Sequence, residues 1–390
     1  MSPDALKASI ASQISAGAEE LFDLSHEIHR NPELAFHEEA GARLVADALE
    51  DPATTVEVGG YDLPTSVDAR SGGGGLVVAL VAEYDALPGL GHACGHNIIA
   101  AAAVGAFRAL RPHLDQLDLE LRLVGTPAEE GGGGKILLLE RGGFDNVDAA
   151  LMVHPGPVDL PYMPSLATTR FDVTFRGAAA HASAFPEHGI NAADAAVISQ
   201  VAIGLLRQQL TADQRVHGIV IDGGDAPNVI PDRVRLDYMI RAADIEGLEA
   251  LERKLRGCFD AGAIGTGATL EFERSMPIYA ALEPDPILTD AYVSNAAALG
   301  REVRPITERA RRAAGSTDMG NVSLRIPSIH PMIGLGRDAG VIHGEAFAKA
   351  AGSVVGDRAV IDGAIALAHT IVDATLDPAI REHLDHPAVP

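Results

Sequence analysis

Tryptophan is absent from this sequence of 390 residues, cysteine occurs only twice, and aromatic residues make up 4% of it. Two cysteines, Cys94 and Cys258, are too few for a disulfide framework, so the sequence predicts free thiols and a reducing, cytoplasmic location. Alanine and the 41 glycines take the place of aromatic residues, which favours helices packed closely on a sheet.

Basic residues are also scarce, since 30 Lys and Arg stand against 54 Asp and Glu, for a net charge of −24. This charge repels phosphate groups and argues against nucleic acid and anionic membranes as partners, and its simplest role is solubility. No apolar signal core follows Met1, and the longest apolar run, 98–107, is too short and alanine-rich to span a bilayer. We therefore expect a soluble cytoplasmic protein.

The length predicts two domains, because single hydrophobic cores stop growing at roughly 250–300 residues. In the first part of the chain, helical patterns alternate with apolar runs. We predict helices over 4–30, 32–49 and 98–110 and another ending near 141, and strands over 76–82, 117–125 and 149–153. This alternation is typical of an α/β fold with a mostly parallel sheet and helices on both faces. In such folds ligands bind at the carboxyl ends of the strands.

The pattern changes near residue 165, where segments with one polar face begin. We predict strands over 168–176, 216–222, 233–241 and 270–274, and helices over 191–210 and 245–261. This order is that of a ferredoxin-like α+β domain. We therefore expect an inserted domain over 167–277 within an α/β domain built from 1–166 and 278–390, which also holds helices over 286–299 and 357–376.

The stretch Gly89–Asn97 follows the first apolar strand and contains His92, Cys94 and His96. A thiolate and an imidazole two residues apart on extended backbone can bind one ion of zinc or a related transition metal. Ordinary packing of these side chains is the alternative.

Glu129 and Glu130 follow the next strand of the predicted sheet. Adjacent residues at a strand end point in different directions, so one carboxylate can bind a metal while the other acts as general base. The alternative is an acidic first turn of a helix, which the helix dipole favours. Pro127 before the pair and four glycines after it favour the first interpretation.

His154 follows another strand, and His343 lies far away in the sequence. Either one alone is compatible with a buried structural histidine. With Cys94, His96 and Glu130 they make five ligands, more than the four of a closed structural zinc site, which suits two ions that share a ligand. Asp85 is expected at the same edge of the sheet.

Several other motifs are incomplete. Lys135 follows a glycine run, but Ile136 stands where a phosphate-binding loop has Ser or Thr. The sequence contains no Gly-x-Ser-x-Gly nucleophile motif. His181, in a loop of the inserted domain, could donate a hydrogen bond to an oxyanion or simply lie on the surface. Cys94 as a thiol nucleophile remains an alternative.

Seven short motifs occur together in an order that resembles the aminoacylase and carboxypeptidase family of metallopeptidases, family M-twenty. They are Glu83–Leu87, His92–Asn97, Gly125–Gly131, Val153–Pro155, Gly177–His181, Asn228–Pro231 and Ser316–Ser323. The resemblance runs from about residue 20 to 375. It is nearest to the amidohydrolase branch, which includes p-aminobenzoyl-glutamate hydrolase, N-acyl amino acid hydrolases and dipeptidases acting on basic residues.

The resemblance implies a two-metal amide hydrolase whose inserted domain serves as a lid and forms a homodimer. It implies that Glu129 is the general base, that Asp85 orients a ligand, and that His181 steadies the oxyanion in the site of the partner subunit. The implied metal ligands are Cys94, His96, Glu130, His154 and His343. The implied substrate-binding residues are Asn228, Arg241, Ser316, Asp318 and His330.

The expected cofactor is a pair of divalent ions. Zinc is expected first because a thiolate favours it, with manganese, cobalt and nickel as alternatives. The chain departs from the wider family at Glu83, where many relatives have histidine. The expected substrate is a small amide, either an N-acyl or aroyl amino acid or a dipeptide. Two other functions stay open: metal binding without turnover, and a cysteine hydrolase that uses Cys94.

Overall fold

The computed structural model describes residues 1–312 and 314–386, and it divides the chain into two units. The first unit comprises Met1–Pro164 and Leu282–Pro390, and the second comprises Ser165–Ala281. The sequence predicts the corresponding boundaries after residues 166 and 277.

The strands, in chain order, are β1 (Thr54–Val58), β2 (Val67–Gly72), β3 (Leu76–Glu83), β4 (Leu119–Thr126), β5 (Ala149–Leu151), β6 (His154–Gly156), β7 (Ala167–Arg176), β8 (Arg215–Asp222), β9 (Arg233–Ala242), β10 (Thr269–Tyr279), β11 (Ser328–Ile329) and β12 (Met332–Gly334). The α-helices are α1 (Pro3–Ala16), α2 (Ala18–Arg30), α3 (Glu39–Leu49), α4 (His96–Leu110), α5 (Leu114–Leu117), α6 (Gly134–Glu140), α7 (Ala192–Leu206), α8 (Ile245–Thr266), α9 (Pro286–Ala298), α10 (Glu308–Arg312), α11 (Met319–Ser323), α12 (Glu345–Ala351), α13 (Val354–Leu376) and α14 (Pro378–Asp385).

The main sheet of the first unit has the strand order β1-β2-β4-β3-β5-β11. Strands β4, β3, β5 and β11 are parallel, while β1 and β2 run antiparallel at one edge. Alternate residues of β3 face two different cores: Val78 and Leu80 contribute to one, and Ala79 and Val81 to the other. Helices therefore cover both faces of a mostly parallel sheet, which confirms the predicted fold class.

The larger core is packed through small residues, as the lack of aromatics predicts. Helices α4 and α13 lie against each other, and a Cβ atom on Gly105 of α4 would come within 3.1 Å of Cβ of Ala364. Helix α13 is long and apolar enough to cross a membrane by length and composition, and 78% of its most apolar window is buried inside the structure. Its place in the core of the first unit accounts for this composition.

Three elements differ from those predicted. The helix expected over 4–30 is broken at Gly17 into α1 and α2, and the helix expected from residue 32 begins only at Glu39. Phe36 has a left-handed backbone with φ of 63°, which is incompatible with a helix there. Strands β1 and β2 were not predicted, because they carry polar residues such as Asp68 and Arg70 at the antiparallel edge.

The second unit consists of β7, α7, β8, β9, α8 and β10. Its four strands form an antiparallel sheet in the order β10-β7-β9-β8, and α7 and α8 pack on each other and on the sheet. This is the ferredoxin-like arrangement that the sequence predicts.

Candidate metal centre

The ends of three neighbouring parallel strands carry the site. Asp85 follows β3, the pair Glu129-Glu130 follows β4, and His154 follows β5. Because these strands are parallel and adjacent, their carboxyl ends meet at one edge of the sheet. The sequence predicts these positions from the strand ends alone.

Two groups of potential ligands meet at Cys94. The inner triad, Cys94, His96 and His154, is buried; the outer triad, Cys94, Glu130 and His343, ends in a half-exposed histidine. Within each triad the ligand atoms all lie within 4.8 Å of one another. The Sγ atom of Cys94 is 3.5 Å from Nε2 of His154, and Nε2 of His343 is 3.5 Å from Oε1 of Glu130. Two triads that share one thiolate suit two ions bridged by sulfur.

The polar atoms at this point fit bound cations. Nε2 of His96 and Oε1 of Glu130 are buried, and neither has a hydrogen-bond partner among the residues that the structure describes. Such orphaned atoms are rare in proteins, and a bound ion often accounts for them. Burial lowers the pKa of His154 to about 4, which keeps this imidazole in the neutral form that binds metal.

Hydrogen bonds fix both histidines of the inner triad with Nε2 toward the ligand cluster. Nδ1 of His96 donates to Oδ1 of Asp85 at 2.9 Å, and Nδ1 of His154 donates to the carbonyl oxygen of Pro155 at 2.8 Å. The other carboxylate oxygen of Asp85 accepts the backbone N–H of Glu130 at 3.0 Å. Asp85 thus connects a residue of each triad, as is common for groups that orient metal ligands.

Glu129 lies beside the triads. Its Oε2 atom is 3.9 Å from Nε2 of His96, and its ligand atom lies within 4.8 Å of those of His96 and Glu83. Burial, followed by the nearby carboxylates of Glu83 and Glu130, raises the pKa of Glu129 well above its usual value. A carboxyl group whose pKa is raised toward neutrality can both take up and release a proton.

A buried lysine is the residue that sequence reasoning missed. Nζ of Lys135 lies 2.6 Å from Oε1 of Glu83 and 2.7 Å from Oδ1 of Asp318, and its backbone N–H donates to Oδ2 of Asp318. All three side chains are fully buried. Burial alone would raise the pKa of Glu83, but Lys135 and then His96 lower it. The signal in the sequence is a single lysine before the apolar run Ile136–Leu139.

The three predicted substrate-binding residues of the first unit have different environments. The carboxylate of Asp318 is taken up by Lys135. The His330 ring stacks on His154 with centroids 5.2 Å apart, and burial lowers its pKa to about 3. Ser316 donates its hydroxyl to the carbonyl oxygen of Gly315. His330 therefore adjoins the inner triad directly, and Asp318 adjoins Glu83 through Lys135.

The remaining predicted residues belong to the second unit. His181 is exposed, and its Nδ1 accepts the backbone N–H of Ala184 at 3.2 Å, which leaves the proton on Nε2. The backbone of Asn228 accepts the N–H of Ala182, so His181 and Asn228 lie on adjoining loops. Arg241 lies in β9, and burial lowers its pKa. The parts of these residues in binding stay predictions.

Comparison with known proteins supports one family. The profile of the Peptidase family M20/M25/M40 matches residues 79–367. The chain is 40% identical to an Xaa-Arg dipeptidase of Mus musculus, over 97% of this chain and 90% of that protein. It is 32% identical to one of the subunits of p-aminobenzoyl-glutamate hydrolase of Escherichia coli (strain K12), over 68% and 60% of the two chains. The structure of the Bacillus subtilis YXEP protein, described as a dinuclear metal binding peptidase, matches with a TM-score of 0.70 and 23% identity over 93% and 99%.

Proposed function

This chain belongs to the Peptidase family M20/M25/M40 and is a metal-dependent amide hydrolase, and we propose that it cleaves dipeptides with a basic carboxyl-terminal residue. The observation that carries the chemistry is the pair of ligand triads that share Cys94 beside Glu129. The substrate class is supported by the 40% identity to an Xaa-Arg dipeptidase over almost the whole chain. The net charge of −24 would also attract a cationic substrate.

We assign one ion to the inner triad and one to the outer triad, with zinc first because of the shared thiolate. Bound divalent ions polarise a carbonyl and lower the pKa of water. Glu129 takes a proton from the attacking water and delivers it to the leaving amine. Asp85 holds the His96 imidazole in the tautomer that leaves Nε2 without a proton.

The second unit supplies further groups in this proposal. With Nδ1 occupied by backbone N–H groups, the imidazole of His181 of the partner subunit can donate from Nε2 to the developing oxyanion. Asn228 and Arg241 hold oxygen atoms of the substrate, and the partial burial of Arg241 would strengthen its attraction for a carboxylate. We also propose a cytoplasmic location, which the two free cysteines support.

A homodimer through the second unit is supported by its exposed apolar surface. Strand β8 is at the edge of the sheet and exposes Ile219, Val220 and Ile221, and helix α7 exposes Val201 and Leu205. An open apolar edge strand is a template for pairing with another strand. The variant V220E should convert a particle of two chains into a single chain, as measured by light scattering; an unchanged mass would exclude this surface as the interface.

The test is hydrolysis by purified, zinc-loaded protein of dipeptides ending in Arg or Lys, N-acetyl amino acids and p-aminobenzoyl-glutamate. Chelation should abolish cleavage, and zinc should restore it. E129Q should keep its metal content and lose nearly all turnover, whereas E140Q, at an exposed glutamate of α6, should behave as wild type.

Other results would refute the proposal in different ways. Cleavage that survives chelation and is lost on thiol alkylation would point to Cys94 as a nucleophile. Bound metal without any cleavage would indicate a binding protein. Preference for p-aminobenzoyl-glutamate over the basic dipeptides would replace the substrate class and leave the metal chemistry in place.

A further inference from the structure

A buried carboxylate outside the ligand set contacts the turn that carries Glu129. Glu38 lies just before α3 and is fully buried. Its Oε1 atom accepts two backbone N–H groups, from Phe36 at 2.8 Å and from Ala128 at 2.9 Å. Its Oε2 atom accepts the hydroxyl of Thr65 at 2.8 Å. A carboxylate from one segment thus holds the backbone of another segment 90 residues later.

Ala128 has an unfavourable backbone conformation at the position before Glu129. Its φ of 58° is in the left-handed region, which costs a residue with a side chain free energy because its Cβ approaches the carbonyl oxygen. The residue is fully buried, so its N–H cannot bond to water. The Glu38 carboxylate is therefore what satisfies this N–H in its strained conformation.

The carbonyl side of Ala128 is fixed as well. Its oxygen accepts the N–H of Gly132 at 3.0 Å and the N–H of Gly133 at 2.9 Å. A Cβ atom on Gly132 would lie 2.5 Å from Cε2 of Phe36, so the ring of Phe36 packs directly on this turn. Phe36 itself has a φ of 63° and donates to the same oxygen of Glu38. Glu38 thus joins two left-handed residues, one on each side of the contact.

We propose that Glu38 is a positioning residue for the base: it keeps the turn after β4 in the conformation that directs Glu129 and Glu130 to different places. This inference rests on the proposed function, because it takes Glu129 as the base. Without Glu38, the Ala128 N–H is buried and unpaired, and the turn gains free energy by leaving the left-handed conformation. Glu129 then spends less time beside the inner triad.

The experiment compares E38A, E38Q and E33A, each saturated with zinc, on the substrate that wild type cleaves best. In E38Q the amide oxygen still accepts both N–H groups, and its NH2 group can donate to the Thr65 hydroxyl oxygen. Glu33 is the matched control, because its Oε2 also accepts two backbone N–H groups, from Ala40 and Gly41 at the start of α3. We expect kcat to fall about 10–100-fold in E38A with little change in KM, and to stay within about fivefold of wild type in E38Q and E33A.

A double-mutant cycle separates positioning from general destabilisation. Glycine adopts the left-handed conformation readily, so A128G should restore part of kcat in the E38A background. If E38A does not fold, E38D replaces it, because its carboxylate is one methylene short of the Ala128 N–H. Equal kcat in E38A and E33A, or no recovery of E38A by A128G, would overturn the inference. Inactive wild-type protein would instead refute the proposed function.

Discussion

Replacing Asp85 by asparagine perturbs both triads without removing a ligand. The carboxylate now accepts two hydrogen bonds, one from Nδ1 of His96 at 2.9 Å and one from the backbone N–H of Glu130 at 3.0 Å. Asparagine has nearly the same shape, but it offers one acceptor oxygen and one NH2 donor. Only one of the two bonds can survive.

Either orientation of the new side chain has a cost. If its oxygen stays on His96, the NH2 group faces the N–H of Glu130, and a buried donor loses its partner, at about 1–3 kcal/mol. If it is reversed, Nδ1 of His96 must become an acceptor, and the ring proton moves to Nε2, where it blocks metal binding. Both outcomes predict metal affinity weakened about 10–100-fold.

The assay is competition for zinc between the protein and a chromophoric chelator, with kcat measured across a range of zinc concentrations. D85N should need more zinc for half-maximal activity. The control is D148N: Asp148 precedes β5 and accepts the N–H of Val77 at the other end of the strands, and its loss should leave zinc affinity unchanged. Wild-type zinc affinity in D85N would refute the claim that Asp85 organises the centre.

Three further predictions concern stability. K135M should lower the free energy of unfolding by about 3–5 kcal/mol in denaturant titrations, because it leaves the buried Glu83 and Asp318 carboxylates unpaired; a loss below about 1 kcal/mol would contradict this. His343 has a φ of 68°, so metal-free H343G should be more stable than metal-free H343A by about 1–2 kcal/mol, and equal melting temperatures would exclude strain there. Burial would raise the pKa of Asp68, but hydrogen bonds from Arg70 and Tyr61 lower it. Its contribution is therefore complete above its unfolded pKa of about 3.9 and lost as pH falls through the lower folded pKa, so the difference in unfolding free energy between wild type and D68N should shrink below about pH 4 and would refute this reasoning if it grew.

The edge of the sheet that carries the site could be predicted from local sequence. Each run of residues buried on both faces is short and apolar, and Asp85, Glu129 and His154 come directly after such runs. The shared role of Cys94 has a local cause too, because it precedes His96 by two residues at the start of α4.

The supporting contacts could not be predicted in the same way. Lys135 contacts Asp318, which lies 183 residues further on, and Glu38 contacts Ala128 across 90 residues. No periodicity in either segment records the partner. Strands β1 and β2 were missed for a different reason: an antiparallel edge strand with polar residues resembles a loop when only apolar runs are counted.

The position of the second unit in the chain has a consequence for synthesis. Residues 165–281 are continuous, so all four strands of their sheet have left the ribosome before the first unit is complete. Strand β5 waits for β11, and β6 waits for β12, with pairings such as Ala150 to Ser328 and His154 to Met332. During that interval the nascent first unit has an open strand edge, which is the state most exposed to aggregation. His343 emerges later still, so both ions can be held together only near the end of translation.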